Sequence, residues 1–486
     1  PGPAARVESQ LPARGASLMK AWRYRGFPGQ ESSASCNPQI VHGLSSTPND
    51  TMPSFGERIN TFLTDSVWCS VPITLPDDPH LLSRATKRGD SVGDARPPNW
   101  LPSAYDRNTR LADVILFWNI PQHFSPYLQE ADTVWSQALT TALSGASSAT
   151  NADGLEVILN RMVAKLNDGH GAVTSYYSKP RPRALPLTWI MLDGQLVVTW
   201  ADPTLAPEVH AGDIVVSIQG TPVDTLVKAA REIRSASTSQ YMDVRTANTL
   251  TAAAPVDTVV LGLLASSGAS RTVRVRRVLD ETPNEPRPER ICEIAPRVYY
   301  CDLTRITDAD FEANISALSK ANGVIFDIRG YPGQVSVAPL AHLTSTALES
   351  ERWGTPVVTR PDRKLMRFDT SIWKLEPKAP RFRGHCVFLA DAHAISYAET
   401  YLAFVEHYKL AEILGEATAG TNGAITTVRL PGGFAITITG MRVMKQDGSI
   451  HQGIGIHPTV PVKRTIAGIS EGRDELLDAA IRLVAR

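Results

Sequence analysis

The sequence predicts an α/β protein in which helices and strands fall into separate units along the chain. From about residue 290 onward, short apolar strand patterns alternate with helical patterns, which indicates a parallel or mixed sheet covered by helices. Before that point, one segment has helical periodicity and the next has strand patterns. The composition, with 43% hydrophobic and 20% charged residues, is typical of a folded globular chain. We therefore expect an α+β protein overall, with an α/β core.

Length and charge exclude several classes of protein. A chain of 486 residues is long enough for about three domains. Lys plus Arg and Asp plus Glu both number 49, so the formal net charge is zero, which argues against a nucleic-acid partner or a polybasic membrane binder. No apolar run approaches the about 20 residues that span a bilayer. Because the chain begins at Pro1, we expect that an export signal preceded it and that the protein works outside the cytoplasm, in a periplasm or as a secreted protein.

The elements justify four units. Residues 1–104, rich in Pro, Ser, Gly and Asn, are predicted to be an irregular extension. Residues 105–180 are predicted to be a helical unit that ends at Asn167, Asp168 and Gly169, with His170 just beyond. Residues 181–282 are predicted to be a β unit, with a hairpin at residues 193–194 and a helix at residues 226–233.

Residues 283–486 are the predicted α/β core. Strand patterns cover residues 323–328, 386–390 and 411–414, and helical patterns cover residues 335–348, 397–406 and 471–484. The motifs G-x-S-x-G, H-E-x-x-H and G-x-x-x-x-G-K-[ST] are absent, which disfavours an α/β-hydrolase, a zincin and a P-loop NTPase. The chain has no C-x-x-C pair either, and we expect no metal or cofactor.

Two junctions between a strand and a helix in this core are candidate sites. After the strand that ends at Asp327, the glycine-rich turn with Gly330 and Gly333 would expose backbone N–H groups to an anion or an oxyanion. The alternative is a tight turn in which Asp327 and Arg329 form a local ion pair. At the next junction Ser396 opens a helix, where it could act as a nucleophile.

Two of these residues have structural alternatives. Ser396 could serve only as a helix N-cap, with Glu399 three residues later completing a capping box. His170 lies between two glycines just after a helix and could be an ordinary surface histidine, one of 11 histidines in the chain.

Taken together, five motifs resemble those of the C-terminal processing, or tail-specific, serine peptidases. They read DGH at 168–170, GDIVVSIQG at 212–220, DIRGYPG at 327–333, SYAE at 396–399 and GEATAG at 415–420. The resemblance covers about residues 105–465 and implies a ClpP/crotonase-like protease core, a helical cap and a PDZ-like β domain. The PDZ-like domain would either bind peptide C-termini by strand addition or act as a spacer.

The resemblance implies roles for particular residues. Ser396 would be the nucleophile, and the N–H groups of Tyr397 and Gly333, or secondly Gly330, would form the oxyanion hole. One branch of the family uses a lysine where this chain has Thr421. The branch similar to the tricorn protease core uses a histidine, which falls on His170.

The chain departs from the tricorn-like pattern near the base. Gln452 stands where a catalytic glutamate is expected, Gly169 where a hydroxyl residue is expected, and Thr459 where an aspartate is expected. Gln452 can hold a hydrogen bond but cannot stabilise an imidazolium by charge. Either another carboxylate, such as Asp168, serves, or the enzyme is slow or inactive.

The resemblance therefore predicts a serine endopeptidase that hydrolyses unfolded or tail-exposed polypeptides. The alternative is a weak or inactive family member that binds a ligand, as the modules of interphotoreceptor retinoid-binding protein do on this fold. A third possibility is a scaffold that senses peptides through the PDZ-like domain.

Overall fold

The computed structural model describes residues 19–26, 37–42, 52–54, 56–64, 67–76, 100–128, 132–177, 183–252 and 256–485. These residues form a mixed structure of helices and sheets, which confirms the predicted α/β class.

The first hundred residues contain strands, so the prediction of an irregular extension is wrong for the part described. The strands there are β1 (Met19–Arg25), β2 (Asn37–His42), β3 (Arg58–Thr64), β4 (Val67–Pro72) and β5 (Thr74–Pro76). β1 pairs with β2 and β5, and also with β17 (Arg352–Val358), where Tyr24 opposes Val358. Because β17 comes far later in the chain, local sequence patterns carry no signal of this pairing.

Three helices follow, as predicted: α1 (Arg107–Phe124), α2 (Asp132–Ser148) and α3 (Ala152–Ala164). Phe117 and Trp135 are fully buried between α1 and α2, with their rings edge to face and their centroids 5.8 Å apart. A small sheet packs against these helices and consists of β6 (Ala172–Ser175), β22 (Ile425–Leu430) and β23 (Phe434–Thr439). His170, just before β6, is thereby placed beside a late segment of the chain.

The β unit has a five-strand meander with a short sixth strand and two helices. Its elements are β7 (Leu187–Leu192), β8 (Gln195–Ala201), β9 (Ile214–Ile218), β10 (Thr221–Pro222), α4 (Val223–Glu232), α5 (Ser239–Thr251), β11 (Thr258–Leu264) and β12 (Ser270–Arg276). Asp193 and Gly194 connect β7 and β8, as predicted. The sequence of α5 is mostly polar, which is why periodicity did not indicate it. A PDZ-like identity for this unit stays a prediction.

The core is a six-stranded sheet with helices on both faces. In spatial order its strands are β13 (Ile291–Ala295), β14 (Val298–Asp302), β15 (Gly323–Asp327), β20 (His385–Ala390), β21 (Glu412–Gly415) and β25 (Val460–Pro461). All neighbours from β14 onward are parallel. One face, with Phe326 and Phe388, packs on α6 (Asp308–Lys320) and α7 (Tyr397–Tyr408). After the short α8 (Ile466–Ser470), α9 (Glu475–Val484) covers the other face.

The prediction of a helix at residues 335–348 is wrong. The segment forms a single 3₁₀ turn, Ala338–His342, followed by β16 (Leu348–Glu349). Pro339 lacks an N–H group, and the Thr344 hydroxyl accepts the Thr346 N–H at 3.1 Å, so both residues remove backbone bonds that a helix needs. The remaining strands are β18 (Arg367–Ser371), β19 (Lys374–Leu375) and β24 (Arg442–Met444).

The sheet brings three of the five motif segments to one edge. β15, β20 and β21 run parallel, so the segments after Asp327, Ala390 and Gly415 leave the sheet at the same side. In open α/β sheets this carboxyl edge is where ligands bind.

Candidate active site

Ser396 lies at the point where the segment after β20 turns into α7. Its φ is 60° and its ψ is −113°, a conformation that costs energy for a residue other than glycine. The Ser396 N–H donates to the Thr421 carbonyl oxygen at 2.9 Å and to Glu399 Oε2 at 3.2 Å. The Glu399 contact is the backbone bond of the predicted capping box. The half-buried side chain is at a helix N-terminus, which favours negative charge.

His170 is buried, and a carboxylate orients its ring through a threonine. The Thr439 hydroxyl donates to Asp168 Oδ1 at 2.6 Å and lies 2.8 Å from His170 Nδ1. Because the single hydroxyl proton points to Asp168, the hydroxyl oxygen accepts from the ring, and Nδ1 carries the ring proton. Nε2 is then the basic nitrogen. It is buried and has no hydrogen-bond partner among the described residues, which is rare for a buried polar atom.

Asp168 accepts hydrogen bonds from both His170 and Thr439. Besides the Thr439 hydroxyl, its carboxylate accepts the His170 N–H at 3.0 Å and the Thr439 N–H. Burial lowers the pKa of His170 below its ordinary value, while the nearby Asp168 and Glu399 carboxylates act in the opposite direction. His170 is therefore neutral near pH 7, with carboxylates placed to stabilise a positive charge that forms on it.

Thr421 links the histidine segment to the serine segment. Its carbonyl accepts the Ser396 N–H, and its hydroxyl accepts the Gly169 N–H at 3.1 Å. A Cβ added to Gly169 would lie 2.3 Å from the Thr421 hydroxyl oxygen. The glycine that replaces the family's hydroxyl residue is therefore required by the close approach of Thr421, which stands where the other branch has its lysine.

Gln452 is near this arrangement, but its hydrogen bonds go to Asn167 and Ser237 and not to His170. Its Nε2 donates to the Asn167 carbonyl at 3.2 Å and to Ser237 Oγ at 2.8 Å. The partner of His170 Nδ1 is Thr439 instead. Thr459 also has a structural contact, since its hydroxyl accepts the Ile413 N–H of β21 at 3.0 Å.

The candidate oxyanion donors differ in how free their N–H groups are. The Gly330 N–H donates to the Ile328 carbonyl oxygen at 2.8 Å, so it is already used within the turn. Gly333 is exposed, and a Cβ added to it would meet no atom within 4 Å other than those of its chain neighbours. Tyr397 is the first residue of α7, a position whose N–H has no acceptor within the helix. Tyr397 and Gly333 are therefore the better-placed pair.

Ion pairs between side chains anchor the turn that carries Gly333. Arg329 pairs with Asp327 at 2.6 Å and with Asp474 at 2.8 Å, and all but Asp474 are buried. The ion pair between Asp327 and Arg329 agrees with the structural alternative for this turn, and it leaves the glycines beyond it free for another role.

A second buried histidine, His451, lies beside Glu399, the residue that accepts the Ser396 N–H. His451 Nδ1 is 2.6 Å from Glu351 Oε1, and His451 Nε2 is 3.2 Å from Glu399 Oε1. All three side chains are fully buried. Burial alone would disfavour the charged ring, but the two carboxylates outweigh it and raise the pKa of His451 to about 10. Glu399 also accepts the N–H groups of Gly420 at 2.7 Å and Thr421 at 2.9 Å.

The sequence motifs did not indicate Thr439, His451 or Glu351. Thr439 ends a strand that reads as an ordinary alternating pattern, and Glu351 lies in a segment outside all five motifs. His451 directly precedes Gln452, the position where the resemblance places a catalytic glutamate. That neighbourhood was the one signal in the sequence that could have indicated His451.

In the described part of the chain, no group of His, Cys, Asp and Glu side chains could hold a metal ion. No helix in that part is long and apolar enough to cross a membrane.

Comparisons with known proteins bear on the family and the fold. Residues 297–462 match the model of peptidase family S41, and this match supports the predicted resemblance to the C-terminal processing serine peptidases. No curated protein matches the sequence.

Among the similar solved structures, those of CPAF share the fold at low sequence identity. Mature CPAF complexed with lactacystin is 15% identical over 78% of this chain and 97% of its own, with a TM-score of 0.61. A CPAF variant is 16% identical over the same shares, with a TM-score of 0.62. The photosystem II D1 C-terminal processing protease is 15% identical over 76% of this chain and 98% of its own, with a TM-score of 0.45.

Proposed function

We propose that the protein is a serine endopeptidase in which Ser396 is the nucleophile and His170 the general base, as in the tricorn-like branch. One observation carries the proposal: His170 Nδ1 lies 2.8 Å from the Thr439 hydroxyl, which donates to Asp168, and the buried Nε2 has no partner among the described residues. These contacts favour the tautomer with its proton on Nδ1. That is the state a general base needs before it takes a serine proton.

In the proposed reaction, each of these residues has one role. As Ser396 Oγ attacks the carbonyl carbon of the substrate, its proton passes to His170 Nε2. The carbonyl oxygen becomes negative and accepts hydrogen bonds from the Tyr397 and Gly333 N–H groups. His170 then donates its proton to the departing amine, and the peptide bond breaks, leaving an acyl group on Ser396. Water, activated by the same histidine, releases the second product.

Asp168, acting through Thr439, takes the role expected of the missing glutamate. It fixes the ring orientation by hydrogen bonds, and with Glu399 it supplies the negative charge that stabilises the imidazolium. Gln452 supports the segment before His170 through Asn167. The proposed substrates are unfolded or tail-exposed polypeptides outside the cytoplasm, and the PDZ-like domain is proposed to bind their C-termini.

Labelling with a fluorophosphonate tests this function. The probe should phosphonylate wild-type protein, because an activated serine attacks its phosphorus, and Ser396→Ala should remove the label. Ser267→Ala, a change in the exposed turn between β11 and β12, is the control and should be labelled like wild type.

A ligand-binding protein on the same fold is the second candidate, favoured by the amide of Gln452 in place of a carboxylate. It predicts no labelling of the folded wild-type protein. Labelling that survives Ser396→Ala would instead contradict the assignment of the nucleophile.

The pH dependence of cleavage should report the base. Because burial lowers the pKa of His170, the acid limb of kcat/KM should have its midpoint below the ordinary histidine value of about 6.5. Activity then persists to lower pH than an exposed histidine would allow. Initial rates on a casein-derived peptide between pH 4 and 8 measure this, and a midpoint at or above 7 would contradict His170 as the buried neutral base.

A further inference from the structure

Four aromatic side chains form a continuous series beside Ser396, called the aromatic ladder here. Tyr331 lies 6.3 Å from Tyr397 between ring centroids, Tyr397 lies 6.0 Å from Trp373, and Trp373 stacks on Trp353 at 5.3 Å with an interplanar angle of 12°. These distances are those of favourable aromatic pairs.

The ladder is open to solvent along part of its length. Tyr331 is 52% exposed and Trp373 is 40% exposed, and Ile372 beside Trp373 is also exposed. Tyr397 and Trp353 are half-buried and support them. Large aromatic side chains that stay exposed next to one another are typical of interaction sites.

The backbone around the ladder holds the rings in place. The Trp373 N–H donates to Ser350 Oγ at 2.9 Å, and the Ser350 N–H donates to the Trp373 carbonyl at 3.0 Å. Trp353 belongs to β17 and is paired on both sides, with Ser371 of β18 and with Val443 of β24. A rigid apolar surface binds a side chain without first having to be ordered.

Both ends of the candidate oxyanion hole carry a ring of the ladder. Tyr397 follows Ser396 directly, and Tyr331 stands two residues before Gly333. A peptide carbonyl held by the Tyr397 and Gly333 N–H groups therefore has its flanking residues next to these rings. The ladder is continuous with the site where a polypeptide would be cut.

We propose that the aromatic ladder is a substrate subsite that receives a large apolar or aromatic side chain adjacent to the scissile bond. The inference rests on the proposed peptidase function and names the substrate class: polypeptides whose apolar residues are exposed because they are unfolded. The ladder contributes no charged side chain, so a carboxylate or ammonium placed there would lose hydration without a partner from the ladder itself.

Two matched peptides test the subsite. Cleavage sites in casein are mapped by mass spectrometry, and the strongest site is synthesised with Phe or with Asp at the residue adjacent to the cut. The kcat/KM of wild type for the Phe peptide should exceed that for the Asp peptide by about 10–100-fold. Trp373→Ala should reduce this ratio about tenfold, while Trp373→Phe should keep most of it.

Trp68→Ala is the control, since Trp68 is 61% exposed on β4 and should leave the ratio unchanged. An unchanged ratio in Trp373→Ala, or a wild-type ratio near one, would overturn the proposal. Light scattering tests whether a second copy of the chain occupies the ladder. If Trp373→Ala loses self-association while the ratio stays intact, a second copy is the occupant and the proposal is overturned.

Failure of the peptidase function itself has a different signature. If wild type does not cut casein, the matched Phe and Asp peptides are built on an arbitrary casein segment, and calorimetric binding of both to Ser396→Ala decides the matter. Tighter binding of the Phe peptide that is lost on adding Trp373→Ala supports the subsite, and equal binding of the two peptides overturns it.

Discussion

Thr439→Val is expected to lower kcat by about 10³–10⁴-fold while leaving KM nearly unchanged, comparable to losing the orienting carboxylate of a Ser-His-Asp triad. Valine has the shape of threonine without the hydroxyl, so Asp168 loses a donor and His170 Nδ1 loses its acceptor. The ring can then carry its proton on Nε2, and a protonated Nε2 cannot accept the proton of Ser396. Steady-state kinetics on a casein-derived peptide measure the loss.

Two variants separate orientation from a merely structural effect. Thr439→Ser keeps the hydroxyl and should recover most of the activity. Gln452→Ala removes contacts to Asn167 and Ser237 only, and should cost much less than Thr439→Val. Should Gln452→Ala prove the more damaging change in a folded protein, the ring would be oriented by Gln452 and the role given to Thr439 would be wrong.

His451→Gln is expected to lower the free energy of unfolding of the core by about 3–5 kcal/mol. The change removes a positive charge that lies between two fully buried carboxylates, those of Glu351 and Glu399. The carboxylates are then left without compensation in a place from which water is excluded. Urea titration followed by tryptophan fluorescence measures the difference.

The effect of this substitution should depend on pH with a definite sign. The folded-state pKa of His451, about 10, lies above the unfolded value of about 6.5. Its stabilisation is therefore fully present below about pH 6.5 and is lost as pH rises toward 10. The difference between wild type and His451→Gln should shrink over that interval.

His385→Gln is the matched control for burial. His385 Nε2 is 2.7 Å from Glu412 Oε2, but both side chains are about two-fifths exposed, at 39% and 41%. An exposed pair of this kind contributes less than about 1 kcal/mol, so this variant should change little. Equal losses for His385→Gln and His451→Gln would show that burial of the His451 ion pairs is not the cause.

Much of the core was predictable because its signals are local. Gly323–Asp327 and His385–Ala390 are continuous apolar runs of strand length, each followed by a polar turn, and such runs indicate buried parallel strands. The parallel arrangement then brings their carboxyl ends together, which is why Ser396 and the Gly333 turn could be expected at one edge.

Other parts depend on contacts between distant segments and carry no local signal. β1 forms a strand against β2, β5 and β17, and the residues around Met19–Arg25 look irregular without those partners. The segment around Ala338–His342 shows the opposite error, since its helical spacing is overruled by Pro339 and by the hydroxyls that follow it.

The sequence by itself determined the fold class, the resemblance to a peptidase family and the candidate pair Ser396 and His170, because strand runs, turns and motifs each lie within about a dozen neighbouring residues. Only the tertiary structure decided which groups surround that pair. Asp168 reaches His170 through Thr439 of β23, and His451 finds Glu351 and Glu399, because folding brings together residues that are distant in the chain. The partner of the His170 ring is Thr439 rather than Gln452, and this follows from hydrogen-bond geometry and burial, which exist only after folding.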